Sequence, residues 1–143
     1  LGFLAVREDG DGLARAIREA LADAQLSPAD VGMIVAHGNG TPSSDASEAA
    51  AIRAVFDTAP PPVTAFKWAF GHAIAAAGIL ETVVALCALK QHIVPGIATL
   101  AEVAPDCAGL RLSAQAQTPR TDIALILSRG FASTNAALLV RAA

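Results

Sequence analysis

The 143 residues predict one α/β domain, a mixed β-sheet covered by α-helices. Three observations carry this reading. Apolar residues recur at helical spacing over 13–24, short apolar runs bounded by turn residues alternate with helical stretches, and two neighbouring strand-like runs close the chain.

In order, residues 1–6 form a short apolar run and residues 7–12 a charged turn with two glycines. Leu13, Ile17, Ala20, Leu21 and Ala24 follow at helical spacing, with Asp11 placed as an N-cap. Ser27-Pro28-Ala29-Asp30 is a turn, and residues 31–36 read as a buried strand that runs straight into a loop over 37–44. Asp45 and Glu48 make a capping-box pattern that opens a helix to about Phe56. Pro60-Pro61-Pro62 is a stiff connector into a second short strand, 63–66. A turn over 67–72 begins where that strand ends, and a long apolar helix runs from 73 to about Gln91. Residues 93–109 read mostly as loop, broken by Pro95 and Pro105, with 110–112 a candidate edge strand. Residues 123–127 and 136–140 are two more buried strands, separated by 128–135.

Composition narrows the function classes. A hydrophobic content of 54% and a mean hydropathy of +0.51 are high for a small monomer and point to surface buried against another domain or subunit. The richest window, residues 73–89, carries Glu81 and Thr82 and suits a core helix better than a membrane span. A net charge of −3 argues against a nucleic-acid footprint. Cys87 in a helix and Cys107 in a loop, with no pairing signal, suit the reducing cytoplasm. The chain opens on Leu1 and its only methionine is Met33, which reads as a fragment of a longer protein.

Three loops follow three strands, and they meet at one sheet edge if those strands run parallel. Lys67-Trp68-Ala69-Phe70-Gly71-His72 sets a lysine and a histidine at the mouth of the apolar helix that contains Glu81. A carboxylate there must be paired, and Lys67 is the nearest candidate; the alternative is that Glu81 reaches solvent or a bound cation. His37-Gly38-Asn39-Gly40-Thr41-Pro42 places a histidine at a strand end, then glycines that let backbone approach a ligand beside an amide and a hydroxyl. Both His37 and His72 also admit a bland reading, as a satisfied core group and as a polar group gathered at a helix start. The capping box accounts for Glu48 by itself, and a thiol midway along an apolar helix, as at Cys87, is usually inert. His37, His72 and a cysteine lack zinc-ligand spacing, so no metal is expected.

Taken together, these residues resemble the β-ketoacyl-[acyl carrier protein] synthases of the thiolase-like fold. Val35-Ala36-His37-Gly38-Asn39-Gly40-Thr41-Pro42 with Asp45 and Glu48 is similar to that family's His-Gly-Thr-Gly-Thr-Pro block and its following acidic pair. Lys67, Gly71-His72 and Ala76-Ala77-Gly78 match its Lys…Gly-His…Ala-Ala-Gly block, and Glu81 falls where the family has a glutamate that meets the lysine. Gly130, Phe131, Thr134, Asn135 and Ala136 match its closing Gly-Phe-Gly-Gly-Thr-Asn-Ala loop. The resemblance covers nearly the whole chain but only the family's C-terminal half.

It implies a thiolase-like half-domain, part of an elongating acyltransferase of fatty acid or polyketide-type synthesis that condenses malonyl-carrier with an acyl thioester. His37, His72 and Lys67 would be catalytic, supported by Glu81 and Glu48. Gly130 and the backbone N–H of Phe131 would form the oxyanion hole, and the Phe131 ring would gate the acyl pocket. Asn39 and Thr41 would hold the pantetheine arm. No cofactor is implied beyond the phosphopantetheine of an acyl carrier protein. The implied partners are that carrier, the protein's own N-terminal half with the nucleophilic cysteine, and a second subunit in a homodimer or a heterodimer with a homologous subunit. A non-catalytic chain-length-factor-like subunit and a dimerisation or interaction domain are the alternatives. Neither Cys87 nor Cys107 has the nucleophile's setting, so the chain alone is expected not to condense substrates. The sequence departs from the family's pattern at Asn39, for threonine, at Arg129, for phenylalanine, and at Ala132 and Ser133, for glycines, which predicts a stiffer closing loop.

Overall fold

The computed structural model describes residues 7–132 and 134–142; the apolar run over 1–6 and Ser133 lie outside them. Four strands form one sheet in the order β2-β1-β3-β4. They are β1 (Met33–Val35), β2 (Val63–Thr64), β3 (Ile123–Arg129) and β4 (Asn135–Arg141). β1 pairs parallel with β2 and with β3, while β3 and β4 form an antiparallel hairpin from Ile123↔Arg141 to Arg129↔Asn135. The thiolase-like expectation of a mixed sheet under helices therefore holds.

Alternation along the central strands sends side chains into two cores. Ile34, Leu125 and Leu127 face α1 (Asp11–Asp23) and α2 (Pro42–Phe56), meeting Leu13, Ile17, Leu21 and Ile52. Met33, Val35, Ala124 and Ile126 face the opposite way, onto Ala85, Ala88 and Leu89 of α4 (Ala77–Lys90). Strands buried on both faces read as continuous apolar runs, which is why Met33-Ile34-Val35 shows no alternation in sequence. Each fully buried Leu or Ile contributes roughly 1.5–3 kcal/mol relative to exposure.

Several boundaries differ from the sequence reading, each for a local reason. α1 is capped by Gly10, not Asp11, because Gly10 takes a left-handed φ of 68° against α2. α2 starts at Pro42 behind Thr41, so Asp45 and Glu48 sit inside the helix and form no capping box. Pro42 at the first helical position presets φ and moves the start forward. Residues 67–72 are not a plain turn: Lys67–Phe70 form a single-turn helix, α3. Gly71 and Ile74, both with positive φ, then break the path, and a 3₁₀ turn at Ile74–Ala76 precedes α4. The region 110–112 makes only a bridge, Arg111 to Pro62, since prolines 60–62 have no N–H to extend a ladder. Arg120 holds that proline connector through the carbonyls of Ala59 (2.8 Å) and Pro60 (2.6 Å).

Apolar on every side, α4 buries only one face. Ile79 and Val83, one turn apart, are exposed with Leu80, and Cys87 shares that outer side rather than the core. Trp68, Phe70 and Ile74 add apolar surface ahead of the helix. No helix among the described residues is long and apolar enough to cross a membrane.

At Gly10 a Cβ would lie 2.3 Å from the Ser47 carbonyl oxygen, in addition to the left-handed strain. Gly10→Ala should therefore lower unfolding stability by about 1–3 kcal/mol, read as a shifted urea midpoint. An unchanged midpoint would mean that α1 and α2 do not depend on this close approach.

Candidate active site

Because β1, β2 and β3 are parallel, the loops after them meet at the carboxyl edge of the sheet. His37 follows β1, Lys67 follows β2, and Arg129 ends β3. A cleft of about 620 Å³ opens there, lined by His37, Asn39, Thr41, His72, Arg129 and Phe131 among others.

Lys67 is the fixed point. Its Nζ donates to Glu81 Oε1 at 2.5 Å and to the His37 backbone carbonyl at 2.6 Å, with both side chains buried. Glu81 is fully buried, so it does not reach solvent as the alternative reading allowed. Burial pushes its carboxyl above the usual range, and Lys67 pulls it back down. The second carboxylate oxygen, Oε2, is buried without a hydrogen bond among the described residues, leaving Lys67 as the bonded partner.

Glu48 has a role that the capping-box reading missed. From inside α2 it accepts the N–H of His37 at 2.7 Å and of Gly38 at 3.0 Å. Fully buried beside the strand end, it fixes the backbone on which His37 hangs. Burial raises its carboxyl, and the N–H groups of Gly38 and His37 oppose that.

Backbone N–H groups set the donor atom of each histidine. His37 Nδ1 accepts from the Arg129 N–H at 3.3 Å, and His72 Nδ1 accepts from the Ile74 N–H at 3.1 Å. An acceptor at Nδ1 leaves the proton of a neutral ring on Nε2. The two rings lie edge to face, 5.3 Å apart between centroids. Burial first, then the charges of Lys67, His72 and Arg129, depress His37 to about 4. His37 is therefore a neutral hydrogen-bond donor at ordinary pH.

Asn39 and Thr41 stand exposed at the rim, with Asn39 Oδ1 accepting the Thr41 N–H at 3.0 Å. Phe131 is 70% exposed in the hairpin loop over the cleft. His37, Asn39, Thr41, His72, Gly130 and Phe131 line the cleft, with Lys67, Glu81 and Glu48 bonded behind His37. Arg129 is what the sequence reading undervalued: its guanidinium bonds Ser44, Ser47 and Asn135. No local signal pointed to these partners, which lie more than eighty residues away on α2 or across the hairpin loop. Cys107 lies away from the cleft, and no group of three or more His, Cys, Asp or Glu among the described residues could hold a metal ion.

Two donor histidines, a buried lysine–glutamate pair and the β3–β4 hairpin loop thus meet at one sheet edge. Residues 3–101 match the family model described as beta-ketoacyl synthase, C-terminal domain, and the chain belongs to that family. It is 36% identical over 130 residues to the tetracenomycin polyketide synthase ketoacyl synthase beta subunit of Streptomyces glaucescens, covering 91% of this chain and 32% of that protein. It is also 36% identical over 135 residues to nodulation protein E of Rhizobium leguminosarum bv. trifolii, covering 92% and 33%. Among solved structures, a type II ketosynthase complexed with its acyl-carrier protein superimposes with a TM-score of 0.92 at 33% identity, covering 99% of this chain and 35% of that one. The ishigamide ketosynthase/chain length factor gives 0.88 at 34%, covering 94% and 34%. The chain spans about a third of the length of the relatives it matches.

Two outcomes follow from this geometry. Breaking a buried ion pair on one side typically costs about 3–5 kcal/mol, because the other charge is stranded. Lys67→Ala and Glu81→Ala should each destabilise the fold by that order, and the double variant by less than the sum; strictly additive losses in unfolding experiments would separate the two residues. For His37, the folded value lies below the unfolded one, so the unfolded chain takes up the proton first and acid favours unfolding. Through this group, stability should decline as the pH falls from 6.5 towards about 4. In urea titrations across that range His37→Asn should lose less stability with acid than the parent, and an equal loss would remove His37 as its source.

Proposed function

We propose that this chain is the C-terminal half of an elongating β-ketoacyl synthase, acting in the cytoplasm on thioesters carried by an acyl carrier protein in polyketide-type or fatty acid chain building. The carrying observation is the pair of facing histidines, each with Nδ1 occupied by a backbone N–H and Nε2–H left as donor. Such donors suit a thioester oxygen that gains negative charge.

In this reading an acyl group first moves from the carrier thiol to a cysteine supplied by the N-terminal half. The malonyl thioester then loses carbon dioxide, and its C–C bonding electrons pass into an enolate whose oxygen is held by His37 and His72. The carbanion attacks the acyl thioester, the C–S bond breaks, and the cysteine leaves as thiolate. Lys67 acts through position, tying the His37 carbonyl to Glu81, and Glu48 does the same from below. Gly130 and the Phe131 N–H contribute the oxyanion hole during acyl transfer, the Phe131 ring borders the acyl pocket, and Asn39 and Thr41 meet the pantetheine arm. No further cofactor enters these steps.

The apolar outer face of α4 suits cover by the N-terminal half or by a second, homologous subunit in a dimer. A relative named as a ketoacyl synthase beta subunit, and a solved neighbour titled as a ketosynthase/chain length factor, favour a second reading, a subunit that shapes the pocket without condensing. His37, His72 and the Lys67–Glu81 pair standing together favour the catalytic one.

In the full-length protein, His37→Ala should slow malonyl decarboxylation by ~10²–10³, the usual cost of one lost oxyanion donor, and leave acyl loading of the cysteine largely intact. Radiolabelled carbon dioxide release, set beside acyl-enzyme formation, separates the two steps. Normal decarboxylation in the variant would remove His37 from the chemistry.

A further inference from the structure

We propose that Arg129 is a positioning residue that clamps the base of the Phe131 loop to α2, holding the loop as a fixed wall of the cleft and His37 in a single tautomer. The guanidinium donates through Nη1 to the Ser44 carbonyl at 2.9 Å, through Nη2 to Ser47 Oγ at 3.1 Å and through Nε to Asn135 Oδ1 at 3.2 Å. Two of these acceptors lie on α2, and the third is the first residue of β4. One side chain thus joins both ends of the hairpin loop to a helix packed beneath it. Three acceptors around one planar fork define both its place and its plane.

Main-chain bonds close the same loop from within. The Gly130 N–H donates to the Thr134 carbonyl at 2.9 Å, and the Thr134 N–H to the Phe131 carbonyl at 3.1 Å. Ala132 sits at a φ of 54°, a conformation that a non-glycine residue keeps only where its surroundings over-determine it. A swinging gate would need these contacts to open repeatedly, and half-burial of the guanidinium raises the cost of releasing it.

The clamp also reaches the chemistry. The backbone N–H of Arg129 holds His37 Nδ1, so the residue that anchors the loop through its side chain sets the histidine's donor through its main chain. Movement of the loop base and loss of the Nε2–H tautomer become one event. That the fixed loop borders an acyl pocket rests on the proposed synthase reading of Phe131; the clamp itself does not.

The test uses the full-length protein with Arg129→Met, Arg129→Lys and Ser47→Ala. Amide exchange at Gly130 and Thr134 should rise roughly tenfold or more in both Arg129 variants, as the lost bonds predict. Lysine cannot fork to three acceptors and should resemble methionine. Ser47→Ala removes one acceptor only and should give a smaller rise. Ring ¹⁵N shifts of His37 should move from the Nε2–H pattern toward a tautomer mixture in Arg129→Met, a change that simple loss of stability would not produce. Should Arg129→Met raise exchange throughout the β3–β4 ladder, it has unfolded, and Ser47→Ala decides. Wild-type exchange at Gly130 and Thr134 in Ser47→Ala and in folded Arg129 variants, with an unchanged His37 tautomer, overturns the clamp. Raised exchange in a protein that does not condense carrier-bound substrates supports the clamp and overturns the synthase reading.

Discussion

The site depends on one ammonium group held away from water. Lys67 Nζ touches the carboxylate of α4 and the carbonyl at the end of β1 at the same time. One partner sits on α4, which covers a face of the sheet, the other follows β1 within the sheet, and α3 delivers the lysine to both. Removing a charge from water costs several kcal/mol, which only close, well-directed partners offset. The spacing between β1 and α4 at this edge is therefore set by the reach of a single side chain. His37 hangs from the same carbonyl-bearing residue, so its place is set by the same contact.

Glu48 repeats the arrangement from the other core. It too is a carboxylate taken into an apolar layer, but it is satisfied by two backbone N–H groups instead of a cation. Between them, Lys67 and Glu48 grip the carbonyl and the amide of His37, and the peptide units around it have no freedom to turn. Both buried carboxylates are thus spent on holding one short stretch of backbone.

Much of this was legible in the sequence because the strand ends are marked by chemistry. Apolar runs stop at His37, Lys67 and Ser128, and a lone Glu81 within an apolar helix requires a partner. Helix starts were less legible. Asp45 and Glu48 have capping-box spacing, yet Pro42 starts the helix earlier and frees Glu48 to point at the strand end. Gly71 and the left-handed Ile74 delay α4, a backbone detail that no periodicity carries. Arg129 was hidden for a different reason: its partners Ser44 and Ser47 are more than eighty residues away in sequence and ordinary in type. Long-range polar contacts leave no local pattern.

Placing both imidazoles with a main-chain N–H at Nδ1 has a further consequence. A ring held this way is a fixed dipole, not a relay: it cannot pass a proton from one nitrogen to the other without breaking the bond that orients it. What such a ring offers is constancy: each Nε2–H points where the main chain aims it, and a change of solvent or of bound molecule alters what it meets without altering its direction.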